Sequence, residues 1–379
     1  AAMIAALISE RGLGGQDVNL VHRLDAFRRD RSVRAEEMRR LAKGWAANAA
    51  NRADNAPDLS PGALLAFAYP DRIAKARGTV GNFVMANGRA ASVEPHDSLA
   101  REAYLAIAEV TGSAASSRIL LASPLTLAEI ESEHADRIVT EDRLTFDKAS
   151  GQLRRRRVTA LDALLLSEQS LPVPATESAA MTLADGLVSL GIARWPLSSA
   201  LKQWRDRVMF LRRNDPAWPD LSDEALVASA TQWLAPYLSG KTGLSDIDSD
   251  LMARALMGCL DWPMSKRLDE EAPTHFLAPT GNRHPIDYAA EEGPVLTIRV
   301  QELFGLKDHP AIARGQVPLV LHLTSPAHRP IQITKDLPGF WRGSWAAVKS
   351  EMKGRYPKHP WPDDPANALP TARAKPRGT

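Results

Sequence analysis

Apolar residues recur at helical spacing near the start of the chain, at Leu20, Leu24 and Phe27 and again at Met38, Leu41 and Trp45. This pattern predicts two amphipathic helices around Arg28-Arg29-Asp30-Arg31. Asn48 to Pro61, polar and small, reads as a linker. From Gly62 to about Pro174 the period shortens. Leu64-Leu65-Ala66-Phe67-Ala68-Tyr69 and Ile119-Leu120-Leu121-Ala122 are short apolar runs bounded by turn residues, the pattern of strands. Phe83-Val84-Met85-Ala86 meets Arg89 to Val93 across Asn87-Gly88, a hairpin signal because both turn residues tolerate positive φ. A second hairpin is expected to turn at Lys148-Ala149-Ser150-Gly151, between Leu144-Thr145-Phe146 and Leu153 to Val158. With a helix expected from Ser98 to Thr111, these short strands predict a small barrel.

Beyond Ala175 the chain begins helical and turns mixed. Trp204, Val208 and Leu211 share a face, and Ser222 with Asp223 and Glu224 caps a helix through Leu226, Ala230 and Trp233. Strands are predicted at Val295 to Val300, Leu319 to Leu323 and Ile331 to Thr334, so the order of elements is α+β. The segment from Phe340-Trp341-Arg342-Gly343-Ser344-Trp345 to Lys353-Gly354-Arg355-Tyr356-Pro357-Lys358-His359-Pro360-Trp361-Pro362-Asp363-Asp364-Pro365 holds more aromatic area than it can bury on itself. It is therefore expected to pack back onto the domain before it. Its prolines hold an extended course, and a short helix through Ala346, Val348 and Met352 has Gly354 as its expected stop.

That terminal segment resembles the C-terminal signature of the bacterial HrpB proteins, a branch of the DEAH-box ATP-dependent helicases. Further matches follow in the same order: Ala68-Tyr69-Pro70-Asp71-Arg72-Ile73-Ala74, Ala86-Asn87-Gly88-Arg89, Trp218-Pro219-Asp220-Leu221-Ser222-Asp223-Glu224, Ala272-Pro273-Thr274-His275, Gln301-Glu302-Leu303-Phe304-Gly305 and Arg329-Pro330. Neither the DEAH tetrad nor an arginine-finger motif is in this sequence. The resemblance thus implies the C-terminal part of a longer helicase, with ATP and Mg belonging to motor domains outside this chain and no cofactor within it. It also implies an α+β multidomain architecture. Residues 1–56 would be the helical end of a ratchet-like bundle, 57–174 an OB-like β-barrel, and 175–379 a C-terminal α+β domain with the proline and aromatic tail.

Composition narrows the class. A chain of 379 residues, 44% apolar and 24% charged, can bury the cores of two to three domains. Cys259 stands alone, which excludes an internal disulfide or a multi-thiolate zinc site and fits a reducing cytoplasm. Ala1 to Ile8 is apolar but lacks a basic leader, so neither a secretory signal nor a membrane partner is expected. The net charge of +2 implies no polyanion by itself, and the placement of the positive charge decides the matter.

That placement favours the barrel region. Arg72, Lys75 and Arg77 follow Tyr69, Arg89 follows the first hairpin turn, and Arg154-Arg155-Arg156-Arg157 occupies a strand whose alternation sends Arg154 and Arg156 to one face. OB folds hold single strands in a positive groove with aromatic stacking. Here Tyr69 and Phe83 are the nearby aromatics and both suit a core, so backbone-phosphate contact without base specificity is the economical reading. A solvated run, or one paired with Glu129, Glu131 and Glu133, is the alternative for the arginines. The basic face of the first two helices, including Arg23, Arg28, Arg29, Arg34, Arg39, Arg40 and Lys43, is open to the same two readings.

Two other motifs carry less. Ala235 to Thr242 fits a loose phosphate-loop pattern at Lys241 and Thr242, but it follows a capped helix where a phosphate loop needs a strand before and a helix after. His275, His284 and Asp287, with Arg283 among them, combine imidazole and carboxylate as acid–base chemistry would need, yet nothing places them within hydrogen-bond reach, and the nine histidines form no metal spacing. Two function classes follow. One is an accessory nucleic-acid-binding region that partners single-stranded RNA and the motor domains of the same polypeptide. The other is a protein-interaction module that docks a protein partner through the C-terminal α+β domain.

Overall fold

The computed structural model describes residues 1–50, 58–113 and 116–373. The chain forms two compact units, Ala1–Leu144 with Arg154–Pro172, and Thr145–Leu153 with the chain from Val173.

The first unit opens with α1 (Ala2–Ser9), α2 (Leu20–Arg29) and α3 (Val33–Ala50). Asn19 caps α2 by accepting the Val21 N–H at 3.0 Å, and Leu20, Leu24 and Phe27 are buried, as their spacing predicts. On α3 the expected inward face is corrected. Ala35 and Ala42 are buried and Met38 half-buried, while Leu41 and Trp45 are exposed. Because α1 packs against α3, small alanines rather than large side chains line the contact. Of the expected linker, Asn48 to Ala50 finish α3, residues 51–57 lie outside the described residues, and Pro61 begins the next helix.

That helix, α4 (Pro61–Ala68), replaces the strand expected at Leu64 to Tyr69. The Ser60 hydroxyl accepts the Ala63 N–H at 3.1 Å and Pro61 occupies the first helical position, a start signal that outweighs the shortness of the apolar run. A Cβ on Gly62 would lie 2.0 Å from the Pro124 carbonyl oxygen, so the helix sits against the backbone of the strand beneath it.

Five strands follow: β1 (Ile73–Ala76), β2 (Asn82–Met85), β3 (Ala90–Ser92), β4 (Tyr104–Ser113) and β5 (Ser116–Leu125). They close into a barrel of order β1-β2-β3-β5-β4, in which β4 returns antiparallel to β1 and β3 meets β5 in parallel. The Asn87-Gly88 hairpin is present, with Val84 opposite Ala90 and Gly88 at φ +80°. The helix expected from Ser98 to Thr111 is instead a 3-10 turn over Ser98–Arg101 leading into β4. Leu105 and Ile107 fill the barrel, while Tyr104, Ala106 and Ala108 belong to the core that includes α4. Apolar on both faces, this strand has the continuous pattern that periodicity cannot tell from a helix.

After α5 (Leu127–Glu133), which opens on a Thr126–Glu129 capping box, the strands β6 (Ile138–Asp147), β7 (Gln152–Leu161) and β8 (Leu164–Leu171) form a separate sheet of that order. Its first turn is the second predicted hairpin: the Gly151 N–H donates to the Asp147 carbonyl at 2.8 Å and Gly151 has φ +68°.

The second unit begins with α6 (Glu177–Leu190), α7 (Ser199–Arg212), α8 (Asp223–Ala228), α9 (Ala230–Trp233), α10 (Ser249–Met257) and α11 (Trp262–Glu271). Then come β9 (His275–Leu277), β10 (Arg283–Asp287), β11 (Val295–Arg299), the small hairpin β12 (Ala311–Ile312) and β13 (Val317–Pro318), β14 (Val320–Thr324) and β15 (Pro330–Thr334). Apart from the hairpin these form one mixed sheet of order β15-β14-β11-β10-β9, with β11 and β14 parallel. The three strands expected late in the chain are β11, β14 and β15.

The tail, α12 (Leu337–Arg342), α13 (Trp345–Arg355) and the proline segment, packs back onto this unit as its aromatic content requires. Phe304 meets Trp341 and Trp345 at ring-centroid distances of 6.1 and 5.5 Å, and the Trp341 and Trp345 indoles donate to the carbonyls of Leu306 and Pro362. Phe340, Trp341 and Trp345 are buried, Tyr356 and Trp361 half-buried. Helix α13 runs through Gly354 to Arg355. Pro357, which disfavours helix at the residue before it, is the effective stop.

Candidate nucleic-acid interface

On the barrel, the β1–β2 loop, β2, β3 and the start of β5 enclose a cleft of about 360 Å³ lined by Arg77, Thr79, Asn82, Ala91, Ser92 and Ser117 among others. A second cleft of about 600 Å³ shares Thr79, Asn82 and Ser92 and extends past Glu94 to Arg118. The loop turns on Gly78 and Gly81, both at positive φ, and a Cβ on Gly81 would lie 2.6 Å from the Val93 carbonyl oxygen. The loop is thereby held against the end of β3 and keeps Arg77 at the cleft.

The basic residues singled out from sequence fall into different environments. Arg72 donates to the Ala108 carbonyl at 2.7 Å, and its guanidinium lies 4.9 Å from the Tyr69 ring centroid. Lys75 donates to the Leu165 carbonyl at 2.5 Å beside the Tyr104 ring. Arg77 and Arg89 are exposed, and neither side chain makes a hydrogen bond or ion pair among the described residues.

The four-arginine run lies on β7, outside the barrel. Arg155 and Arg157 share Asp142 at 2.7 and 2.9 Å, and Arg156 pairs with Glu168. Arg155, Arg156 and Arg157 therefore pair with these acids of the neighbouring strands rather than with Glu129, Glu131 and Glu133. The Arg157 hydrogen bond holds Asp142 below the usual carboxylate range against the opposing effect of desolvation. Arg154 is exposed on the same strand. Helices α2 and α3 also engage arginines: Arg23 donates to the Leu13 carbonyl, and Arg39 to those of Phe27 and Asp30.

Three residues at or near the barrel surface escape a reading from sequence. Asn82 and Arg118 line the clefts only because β2 and β5 flank β3, a pairing that local pattern does not encode. Phe67, embedded in an apolar run, is half exposed because α4 turns its other side to the strands. Phe83, one of the two aromatics considered for stacking, is buried in the barrel, and Tyr69 is half-buried beneath Arg72.

In the second unit the phosphate-loop pattern follows α9, with no strand before it, and itself opens as a 3-10 turn over Ala235–Tyr237. The Asp246 carboxylate accepts from the Thr242 N–H at 2.8 Å, the Thr242 hydroxyl at 3.0 Å and the Gly243 N–H at 3.2 Å. A protein carboxylate thus takes the donors that a phosphate would need. His284, one of the acid–base candidates, bonds the fully buried Glu302 at 3.0 Å, alongside Arg299 at 2.9 Å and Asn282 at 2.7 Å. Burial works to raise the Glu302 pKa, yet the donors from Asn282, His284 and Arg299 outweigh it and hold the carboxyl below its ordinary value. Among the described residues this network closes on itself, and His275 bonds its neighbour Thr274. Among the described residues no group of three His, Cys, Asp or Glu is placed to hold a metal ion, and no helix is long and apolar enough to cross a membrane.

Residues 233–365 match the family model described as HrpB_C, ATP-dependent helicase C-terminal. The chain is 37% identical over 380 residues to the ATP-dependent RNA helicase HrpB of Escherichia coli K12, an alignment that takes in 99% of this chain and 46% of that protein. The crystal structure of the E. coli DExH-box NTPase HrpB is similar at a TM-score of 0.52 and 36% identity, over 98% of this chain and 46% of that one. The chain therefore spans about half the length of the curated relative it matches.

Proposed function

Since the chain belongs to the HrpB helicase family and carries that family's C-terminal domain, we propose that it serves as an accessory nucleic-acid-binding region of an ATP-dependent RNA helicase. The observation that carries the reading is the barrel cleft with Arg77 on its wall. A closed barrel of order β1-β2-β3-β5-β4 fits an OB-like domain, whose β2–β3 face and adjoining loops are the surface that takes single strands. The cleft occupies that face. Arg77 brings a cation with no protein partner among the described residues, while Asn82 and Ser92 bring neutral hydrogen-bonding groups. Such a set holds phosphates and riboses without reading bases.

Arg89 and Arg154 extend the positive surface in this reading. Arg72, Lys75 and Arg156 are already bonded, and contribute by charge or by exchanging a protein partner for phosphate. ATP and Mg belong to motor domains of the same polypeptide, working in the cytoplasm, and the Lys241 loop binds no nucleotide because Asp246 fills it. In a titration of the whole chain with single-stranded RNA, Arg77→Ala should weaken binding and reduce the salt slope by about 0.7, the contribution of one phosphate on a single strand. An unchanged slope together with unchanged affinity would remove the cleft from the reading.

A further inference from the structure

The cleft supplies charge and hydrogen bonds but no exposed ring, since Phe83 on its wall is buried. Single strands are held elsewhere by stacking as well as by charge. In the first unit Phe27, Phe83 and Tyr104 are buried and Tyr69 is half-buried beneath the Arg72 guanidinium. Two rings of this unit are exposed, Trp45 at 41% on α3, which packs against α1, and Phe67 at 50% at the end of α4, which packs on the barrel strands β4 and β5.

The Phe67 ring does not hang free. His134 packs against it at a centroid distance of 5.3 Å and an interplanar angle of 41°. That histidine is itself buried, and desolvation, reinforced by the charge of Arg137, lowers its pKa, so a neutral imidazole supports the phenyl ring. The support is fixed from two sides, because the His134 N–H caps α5 on the Ile130 carbonyl and the Arg137 N–H bonds the His134 carbonyl. His134 Nε2 and Arg137 Nη1 have no hydrogen-bond partner among the described residues, although both are buried. Cations lie close by: Arg72 stacks on Tyr69, two residues beyond Phe67, and Arg137 pairs with Asp162.

We propose that Phe67 is a stacking platform for an unpaired base of single-stranded RNA, backed by His134 and flanked by Arg72 and Arg137. The inference rests on the RNA-binding reading and assigns it a residue that charge alone does not reveal. Arg72 and Arg77 stand at opposite ends of β1, five residues apart, so the two arginines are separated by about 17 Å along the strand, enough for a few nucleotides. Stacking accepts any base, which agrees with a cleft that reads backbone only.

The whole chain is titrated with a single-stranded RNA carrying 2-aminopurine, comparing wild type with Phe67→Leu and Phe67→Tyr. Phe67→Leu should weaken binding by about 5- to 150-fold, the range one stacked base supplies, and abolish the change in 2-aminopurine fluorescence while leaving the salt slope intact. Phe67→Tyr should restore both. Ultraviolet crosslinking of wild type to 5-iodouridine RNA, which needs no variant, should map to Phe67. Wild-type affinity and fluorescence in Phe67→Leu, or crosslinks that avoid Phe67 while Arg77→Ala still lowers the salt slope, would overturn the platform and leave the cleft standing. Absence of RNA binding by wild type would remove both.

Discussion

His309 is held in one protonation state by two backbone groups. Its Nδ1 accepts the Leu337 N–H at 3.0 Å, so Nε2 carries the proton it donates to the Leu319 carbonyl at 2.8 Å. Burial depresses its pKa, against the opposing pull of the Leu319 carbonyl and of Asp336. A histidine depressed in the folded state contributes stability that is complete above the unfolded value of about 6.5 and is lost as the pH falls below it. His134 and His359, both lowered chiefly by burial, act with the same sign. Thermal stability should therefore drop between neutral pH and pH about 5, and His309→Gln, which does not titrate, should make that drop shallower. Equal pH profiles for the two proteins, followed by circular dichroism, would show that His309 is not a contributor. The histidine contacts were not legible in the sequence, because His309 meets Leu337 and His284 meets Glu302 only through the folded sheet. The arginine run was legible as a strand with alternating faces, but its partner Asp142 comes from β6, and pairing across strands is tertiary information.

At the level of elements, capped helices and Gly-bearing hairpins were readable because their signals are local. Ser222 accepts the Ala225 N–H at 3.3 Å, and Gly88 and Gly151 take the positive φ their turns require. The misreadings arose where an element is buried on two sides. β4 is apolar on both faces, and α4 is too short and too uniformly apolar to display a period. The tail was legible as a docked segment, since no arrangement of Phe340, Trp341 and Trp345 within it could bury all three. Burial of three such rings stabilises by about 6 kcal/mol or more, comparable to the whole margin of a domain. A chain ending before Phe340 should melt far below the full chain and expose apolar surface detectable with a hydrophobic dye. If it instead keeps its melting temperature, the aromatic cluster contributes nothing to the second unit.

Over the whole molecule, a net charge of +2 conceals an uneven distribution. Asp142 and Glu168 compensate most of the β7 run, whereas Arg77 stands unpaired among the described residues at the barrel cleft. The family resemblance was readable from the terminal signature, and the 37% identity bears it out, but the cleft requires the closed barrel to exist. The central claim, that this chain grips single-stranded RNA through its backbone, is tested most directly by titrating the unmodified chain with unstructured RNA over a range of salt concentrations. The account predicts binding that weakens steadily with salt, with a log–log slope of about −2 to −4 for three to six phosphates and similar affinity for unrelated sequences. Failure to bind at low salt, or binding with a flat slope, would contradict it.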